Sequence, residues 1–401
     1  MNGKPLKKIS PHNSKNIVPS DICCPDCSAT SEYLYFNDGK KRKQIKCKVC
    51  SALFQLNPRN HIKTKFYCPH CTHPLFLWKQ RRDVFIYKCD YDQCSLLLTN
   101  KARLNPAEKI LAKFKSSQFK LRYQFREYLF TKEQLAHSAP TANAASIFNI
   151  RHSLHTLCLI LTFHISLGIS ARKTAYILRN VFSIHASYQT VLNYSISASH
   201  LCHKFNLANK GDVDSTQAGD ETYIKVMGLH NFVFFFISAI KRSITAYHID
   251  SSRDTLPATI AMTEATRTAK LKQPFTFITD GNPAYAAGIH FLNQSNPDNL
   301  IEHHKVIGLQ NLDQESETYR SFKQLIERLN RTYKFHVKQA NGFKSTLGAI
   351  ALTTLFVTHY NFLRPHSALR YSVPIPLKEL TSIPTIQGKW AKLLNLSLAL
   401  A

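Results

Sequence analysis

The chain has 401 residues, room for about two to four domains at the usual ~100–200 residues each. Its 52 Lys and Arg stand against 25 Asp and Glu, and a formal net charge of +27 favours a polyanionic partner, nucleic acid first. A membrane span is not expected, because the longest apolar runs, 156–168 and 232–240, fall short of the ~18–20 residues a bilayer requires.

Residues 1–20 are polar and basic with no apolar stretch of the signal-peptide kind, so they read as a disordered arm and a cytoplasmic, reducing setting is expected. Eleven cysteines are unusual for such a setting, where disulfides are rare. Nine of them precede residue 95, spaced Cys24-x2-Cys27, Cys47-x2-Cys50, Cys68-x2-Cys71 and Cys89-x4-Cys94, with Cys23 left over. Two knuckles present four thiolates to one tetrahedral ion, so four knuckles predict two zinc ribbons, at 21–56 and 62–100. Each ribbon has a pair of short strands between its knuckles, around 32–36 and 43–45 in the first and around 75–78 and 84–87 in the second. With all four positions filled by protein, the expected role of both ions is structural. His61, His70 and His73 are candidates to replace the less regular Cys89 or Cys94, and Cys158 and Cys202 read as core thiols.

From 101 to 208 the apolar period becomes helical: Leu157, Ile160, Leu161, His164 and Ile165 trace one face before Gly168 ends it. Ser170 and Ser187 are placed to cap two further helices joined by a tight turn, which predicts a helix-turn-helix within about 153–200. Its second helix would offer Tyr188, Gln189, Thr190 and Asn193 to a DNA major groove; an ordinary trihelical packing unit is the other reading.

Past residue 211 the pattern is strand-rich, at 222–226, 232–240 and 244–249, then a helix near 256–269, a strand at 275–279, and helices near 318–340 and 348–359. That order predicts a mixed α/β core of the ribonuclease H type over 211–375, with 376–401 as a tail. Asp220 immediately precedes the first of these strands and Asp280 ends the run Phe275-Thr-Phe-Ile-Thr, so neighbouring strands would bring both carboxylates to one edge. Glu327 lies in a helix whose apolar face is Phe322, Leu325, Ile326, Leu329 and Tyr333, with Lys323, Asn330, Arg331 and Lys334 beside it. Three acids converging from separate elements suit two divalent ions working on a phosphodiester, although each acid alone also reads as a turn cap or a solvated helix pair.

These residues resemble a known family. Asp220-Glu-Thr-Tyr-Ile-Lys-Val, Thr279-Asp280-Gly-Asn-Pro-Ala-Tyr, Ile326-Glu327-Arg-Leu-Asn-Arg-Thr-Tyr-Lys334 and His359-Tyr-Asn-Phe-Leu-Arg-Pro-His-Ser-Ala-Leu369 are similar to motifs of bacterial insertion-sequence transposases of the DDE type, whose core is similar to retroviral integrases. The resemblance implies two magnesium or manganese ions on Asp220, Asp280 and Glu327, cleavage at transposon ends, and strand transfer into target DNA without a covalent protein–DNA intermediate. It implies double-stranded DNA as partner, phosphate contacts from Lys225, Arg331, Lys334 and Arg364, a homo-oligomer when two ends are synapsed, and a bacterial protein at the nucleoid when bound. Glu315, with 34 residues separating it from Asp280 against 46 for Glu327, has the spacing commoner in that family, but it sits in Asn311-Leu-Asp-Gln-Glu315-Ser-Glu-Thr, which shows no apolar period. A DNA-binding regulator derived from such an enzyme, and a nuclease of the same fold, are the alternatives.

Overall fold

The computed structural model describes residues 6–10, 17–37, 44–55, 66–114, 119–136, 139–140, 147, 150–211, 213–267, 275–297, 300–308 and 313–400. The chain divides into two compact units, 1–81 with 85–125, and 82–84 with 126–401. Most of the basic arm, the Asp38-Gly39 turn and His61 lie outside the described residues.

In the first unit β1 (Leu34–Phe36), β2 (Gln44–Cys47) and β3 (Leu53–Gln55) form an antiparallel sheet in that order. Leu34, Ile45, Cys24 and Cys47 make its small core together with Val18. A second three-stranded sheet, in the order β4 (Phe76–Arg81), β5 (Val84–Lys88) and β6 (Gln124–Tyr128), accompanies α1 (Ser95–Ala102) and α2 (Pro106–Phe114). Here Cys68, Leu75, Cys89, Cys94 and Leu97 are the buried centre. So few apolar side chains make cores too small to hold such modules by themselves, which leaves their stability to the cysteines.

The helices of the larger unit begin with α3 (Leu154–Ile160), continued by a wide turn over Leu161–Ser166, then α4 (Ala171–Phe182) and α5 (Tyr188–Ala208). Ser170 and Ser187 cap α4 and α5 as the sequence predicts, accepting from the amides of Lys173 and Thr190. The second helix is longer than expected. Its 21 residues carry Val191, Tyr194, Ala198, Cys202 and Phe205 into a helical core.

The sheet of this unit comprises β7 (Thr216–Val226), β8 (Leu229–Ser238), β9 (Ile244–Asp250), then, after α6 (Thr255–Thr266), β10 (Phe275–Thr279), and, after α7 (Pro283–Ser295), β11 (Ile301–Lys305). Its order is β11-β10-β7-β8-β9, with β7, β8 and β9 antiparallel and β10 parallel to both β7 and β11. Met227 and Gly228, both with positive φ, make the two-residue turn that joins β7 to β8, the turn sense that matches strand twist. The apolar run of β8 is continuous because both faces are covered. Phe235 packs on one side with residues of α8 (Gln314–Ala340) and α9 (Thr346–Phe362), while Phe234 and Phe236 pack on the other with residues of α6 and α7.

As β3, β6 and α1 did, two elements of this unit escaped the sequence pattern: α7, which begins at the Asn282-Pro283 turn with Asn282 as its cap, and β11, whose Ile-Glu-His-His-Lys has one apolar residue. The expected tail also differs. It forms α10 (Lys378–Thr381) and α11 (Ile386–Leu398), and Trp390, Leu393 and Leu394 of α11 are fully buried in the core shared with α3, α5 and α9. Asn361, in the motif that closes α9, donates to the carbonyl of Ile244 at 2.9 Å and accepts from its amide at 2.8 Å. It thereby pins the end of α9 to the edge strand β9. No helix among the described residues is long and apolar enough to cross a membrane.

Candidate active site

Strand register creates the site. Ile278 of β10 pairs with Ala218 of β7, so Asp280, just beyond the end of β10, comes level with Asp220 on its neighbour. Because β10 stops at Thr279 while β7 runs on to Val226, the β7 edge is left open there. Gly219 leaves room for the ring of its cross-strand partner on β8, Phe236, which a Cβ at 219 would overlap. Carboxylate oxygens of Asp220, Glu221 and Asp280 all lie within 4.8 Å of one another at this edge.

Each acid is held from a different side. Asp220 faces α8, where Lys323 Nζ lies 3.2 Å and Asn330 Nδ2 3.1 Å from its Oδ2. Glu221 accepts from the Tyr285 hydroxyl at 2.5 Å, receives Asn282 Nδ2 at 3.5 Å and is ion-paired with Arg253. Asp280 accepts the amide of Asn282 at 2.9 Å, a turn that starts α7, and Arg253 reaches its Oδ2 at 3.4 Å. Burial drives the Asp220 carboxyl up to about 6, opposed by the Lys323 charge and assisted by Glu221 and Asp280. Three carboxylates with two cations between them form a site short of positive charge.

The donor set is all oxygen, the kind that hard divalent ions such as magnesium and manganese take. One more observation fits: Asn330 Oδ1 is buried and has no hydrogen-bond partner, although its amide nitrogen is bonded to Asp220. Beside the acids a cleft of about 450 Å³ is lined by Arg253, Asp280, Asn282, Lys323 and Ile307 among others.

The expected triad is assembled only in part. Asp220 and Asp280 meet, but the third member of the close group is Glu221, to which the sequence reading gave no role. Glu327 stands outside that group, half-buried on α8. It follows Lys323 by four residues and precedes Asn330 by three, so it occupies the helix face from which both of them reach Asp220. Glu221 was hard to foresee, because adjacent strand residues point to opposite faces and only the open edge lets both carboxylates converge.

The expected DNA contacts are dispersed. Arg331 and Lys334 are exposed on α8, and Lys334 Nζ lies 4.3 Å over the Tyr223 ring. Lys225 is exposed near the end of β7, and its carbonyl accepts from Phe343 at 2.8 Å. Arg364 lies 5.7 Å from the Tyr360 ring centroid. At the start of α5 Tyr188, Gln189 and Asn193 are exposed, with Gln189 Nε2 donating to Asn193 Oδ1 at 2.9 Å. Thr190 is engaged in the cap with Ser187, at 3.0 Å between hydroxyls.

The two cysteine groups, Cys24, Cys27, Cys47, Cys50 and Cys68, Cys71, Cys89, Cys94, have their sulfurs within 4.8 Å of one another. Four sulfurs around a tetrahedral ion with ~2.3 Å bonds stand ~3.8 Å apart, whereas a disulfide needs ~2.05 Å. Sγ separations of 3.5 Å (Cys24–Cys50), 3.6 Å (Cys27–Cys47), 3.9 Å (Cys68–Cys94) and 3.6 Å (Cys71–Cys89) are compatible with zinc. Burial and the neighbouring sulfurs push the Cys89 thiol up to about 12, so ionising the set calls for a cation. Neither described histidine substitutes for a cysteine: His73 stacks on Tyr91 and His70 meets the edge of Tyr123.

Residues 214–354 match the family model DDE_Tnp_IS240, described as a DDE domain. Asp220, Asp280 and Glu327 all fall inside that span. No curated protein matches the chain. Among solved structures it is similar to the HTLV-2 integrase catalytic core domain in complex with magnesium, at 14% identity over 41% of this chain and 95% of that chain, TM-score 0.30. It is similar also to a chain of the simian T-cell lymphotropic virus intasome in complex with PP2A regulatory subunit B56 gamma, at 18% identity over 49% and 67%, TM-score 0.25. The Mos1 strand transfer complex is matched at 11% identity over 74% and 86%, TM-score 0.22.

Proposed function

Because this chain carries at residues 214–354 a DDE domain, the catalytic domain of metal-dependent polynucleotidyl transferases, we propose that it is a transposase that cleaves DNA at element ends and transfers the freed strands into target DNA. The observation that carries this reading is the convergence of Asp220, Glu221 and Asp280 at the open β7 edge, faced by Lys323 and Asn330 of α8. Asp220, Asp280 and Glu327 would hold two magnesium or manganese ions. Bound there, such ions activate the attacking oxygen and stabilise the leaving oxygen of an in-line displacement.

The chain's own groups then have distinct tasks. Lys323 and Asn330 fix the Asp220 carboxylate, and Tyr285 and Asn282 fix Glu221. Arg253, on the wall of the cleft, neutralises Glu221 and Asp280 and is within reach of a phosphate entering beside them. Lys225, Arg331, Lys334 and Arg364 take backbone phosphates, which position a duplex without reading it. The two cysteine modules hold zinc structurally. Together with the capped pair α4 and α5, used as a helix-turn-helix, they recognise the element's ends, and two or more chains bring two ends together.

The test uses purified protein and a duplex bearing an element end. Magnesium-dependent nicking at the end is expected, together with its loss in Asp280→Asn while end binding persists. Nicking that survives this substitution would remove the chemistry from this site.

A further inference from the structure

On the edge strand β4, Phe76 and Trp78 alternate onto one face and are each 37% exposed. Two large aromatic side chains left open ~7 Å apart along a strand are unusual in a module so poor in apolar residues. Trp78 has positive charge over its ring: Lys79 Nζ lies 4.1 Å and Lys88 Nζ 4.7 Å from the ring centroid. Burial, helped by the charges of Arg122 and Lys79, holds the Lys88 ammonium below the usual lysine range. Among the described residues neither lysine is paired with a carboxylate; Arg122 pairs with Asp92 through one nitrogen, while its other, Nη1, is buried with no hydrogen-bond partner.

Flat rings and lysines free of carboxylate partners are the two parts of a single-strand platform: bases stack on the rings as the ammonium groups turn from the ring to the phosphates. A duplex cannot use such a surface well, because its base faces are already stacked on one another, whereas β-sheet aromatics engage the faces of splayed bases. We infer that the β4 face of the second cysteine module binds single-stranded DNA, stacking successive unpaired bases on Phe76 and Trp78 and placing phosphates against Lys79 and Lys88. The choice of DNA rests on the proposed function, where strand cleavage and transfer create unpaired nucleotides; the platform itself does not depend on Asp220 or Asp280.

The full-length, zinc-loaded chain reports on this directly, since its tryptophans are Trp78 and Trp390 and Trp390 is fully buried. In Trp390→Phe protein, an oligothymidine of about 10 nucleotides should quench the remaining fluorescence saturably, and a blunt hairpin duplex at equal phosphate should quench it far less. Trp78→Ala, followed by anisotropy of labelled oligothymidine, should weaken binding about tenfold or more, Phe76→Ala somewhat less. Trp78→Phe, which keeps a ring, should retain most of the affinity and so separates stacking from misfolding. Asp280→Asn should leave the quench intact, so failure of the catalytic reading is visible separately. Equal quenching by duplex, undiminished oligothymidine affinity in Trp78→Ala, or tighter binding of oligouridine RNA than of oligothymidine would overturn the inference.

Discussion

Asp220, Asp280 and Glu327 bear the catalytic reading, and they were legible to different degrees. Asp280 could be read from the apolar strand before it and the Gly-Asn-Pro turn after it; Asp220 was read as preceding a strand but lies inside β7, which begins six residues earlier than expected, at Thr216, and the parallel register of β7 and β10 puts the two acids level. Glu327 was read from helix periodicity, and Leu325, Ile326, Leu329 and Tyr333 are indeed the buried face of α8. The choice between Glu327 and Glu315 now has a geometric argument. Along a helix at ~1.5 Å per residue, Glu327 lies ~6 Å from Lys323, whereas Glu315 lies ~12 Å from Lys323 and ~22 Å from Asn330, the two side chains that touch Asp220. Glu315 instead meets His304 Nδ1 at 3.0 Å on β11. Glu327→Gln should therefore reduce metal-dependent cleavage by 100-fold or more, roughly the cost of losing a metal-holding charge, while end binding stays near wild type. Glu315→Gln should keep most activity. Single-turnover nicking of an end duplex decides between them, and the reverse pattern would make the commoner spacing the better guide.

At the level of elements, long periodic segments and caps were readable and short polar ones were not. Ser170 and Ser187 announced α4 and α5 because a hydroxyl before an apolar period has one good use, satisfying free amides. No such signal marked β11, which is held by pairing with β10 rather than by its own side chains, nor the fate of residues 386–398, where a buried Trp390 looks in sequence like part of a tail. The length of α5 was also invisible, since its buried half carries Ser195, Ser197, Ser199 and Asn206, polar residues that a core normally refuses. Ser195 and Ser197 donate back to carbonyls one turn earlier, and Asn206 donates to the Tyr247 hydroxyl and the Thr354 carbonyl. The N-terminal turns of α5 are exposed, and in the proposed function they meet DNA. Gln189→Ala with Asn193→Ala should lower the ratio of end to random-sequence affinity by about 1–3 kcal/mol per lost base contact. Arg331→Ala with Lys334→Ala should weaken both substrates alike and flatten the salt dependence. Competition binding at two salt concentrations separates these effects, and an unchanged ratio in the α5 variant would assign Gln189 and Asn193 to the surface alone.

For the whole molecule, the cysteine modules and the larger unit have different sources of stability. The first unit has two small cores built around thiols; the second has a sheet covered on both faces and a helical core reaching to α11. Metal analysis of protein purified without chelator should return two zinc ions per chain. Chelation should then expose residues 24–94 to proteolysis while 214–398 remains protected, because metal binding and folding are one event in such modules. Mass analysis of the fragments would show it, and a first unit that stays protected without zinc would contradict it. The central claim concerns joining, because a nuclease of this fold would cut at the same carboxylates. Its most direct measurement incubates the protein and magnesium with supercoiled target and a pre-cleaved duplex carrying an end sequence of the proposed element, ending either in a 3′-hydroxyl or in a 3′-dideoxy sugar. Covalently joined product from the hydroxyl end, none from the dideoxy end and none with Asp280→Asn is the predicted result; nicked target with no joined product from either end would contradict the account.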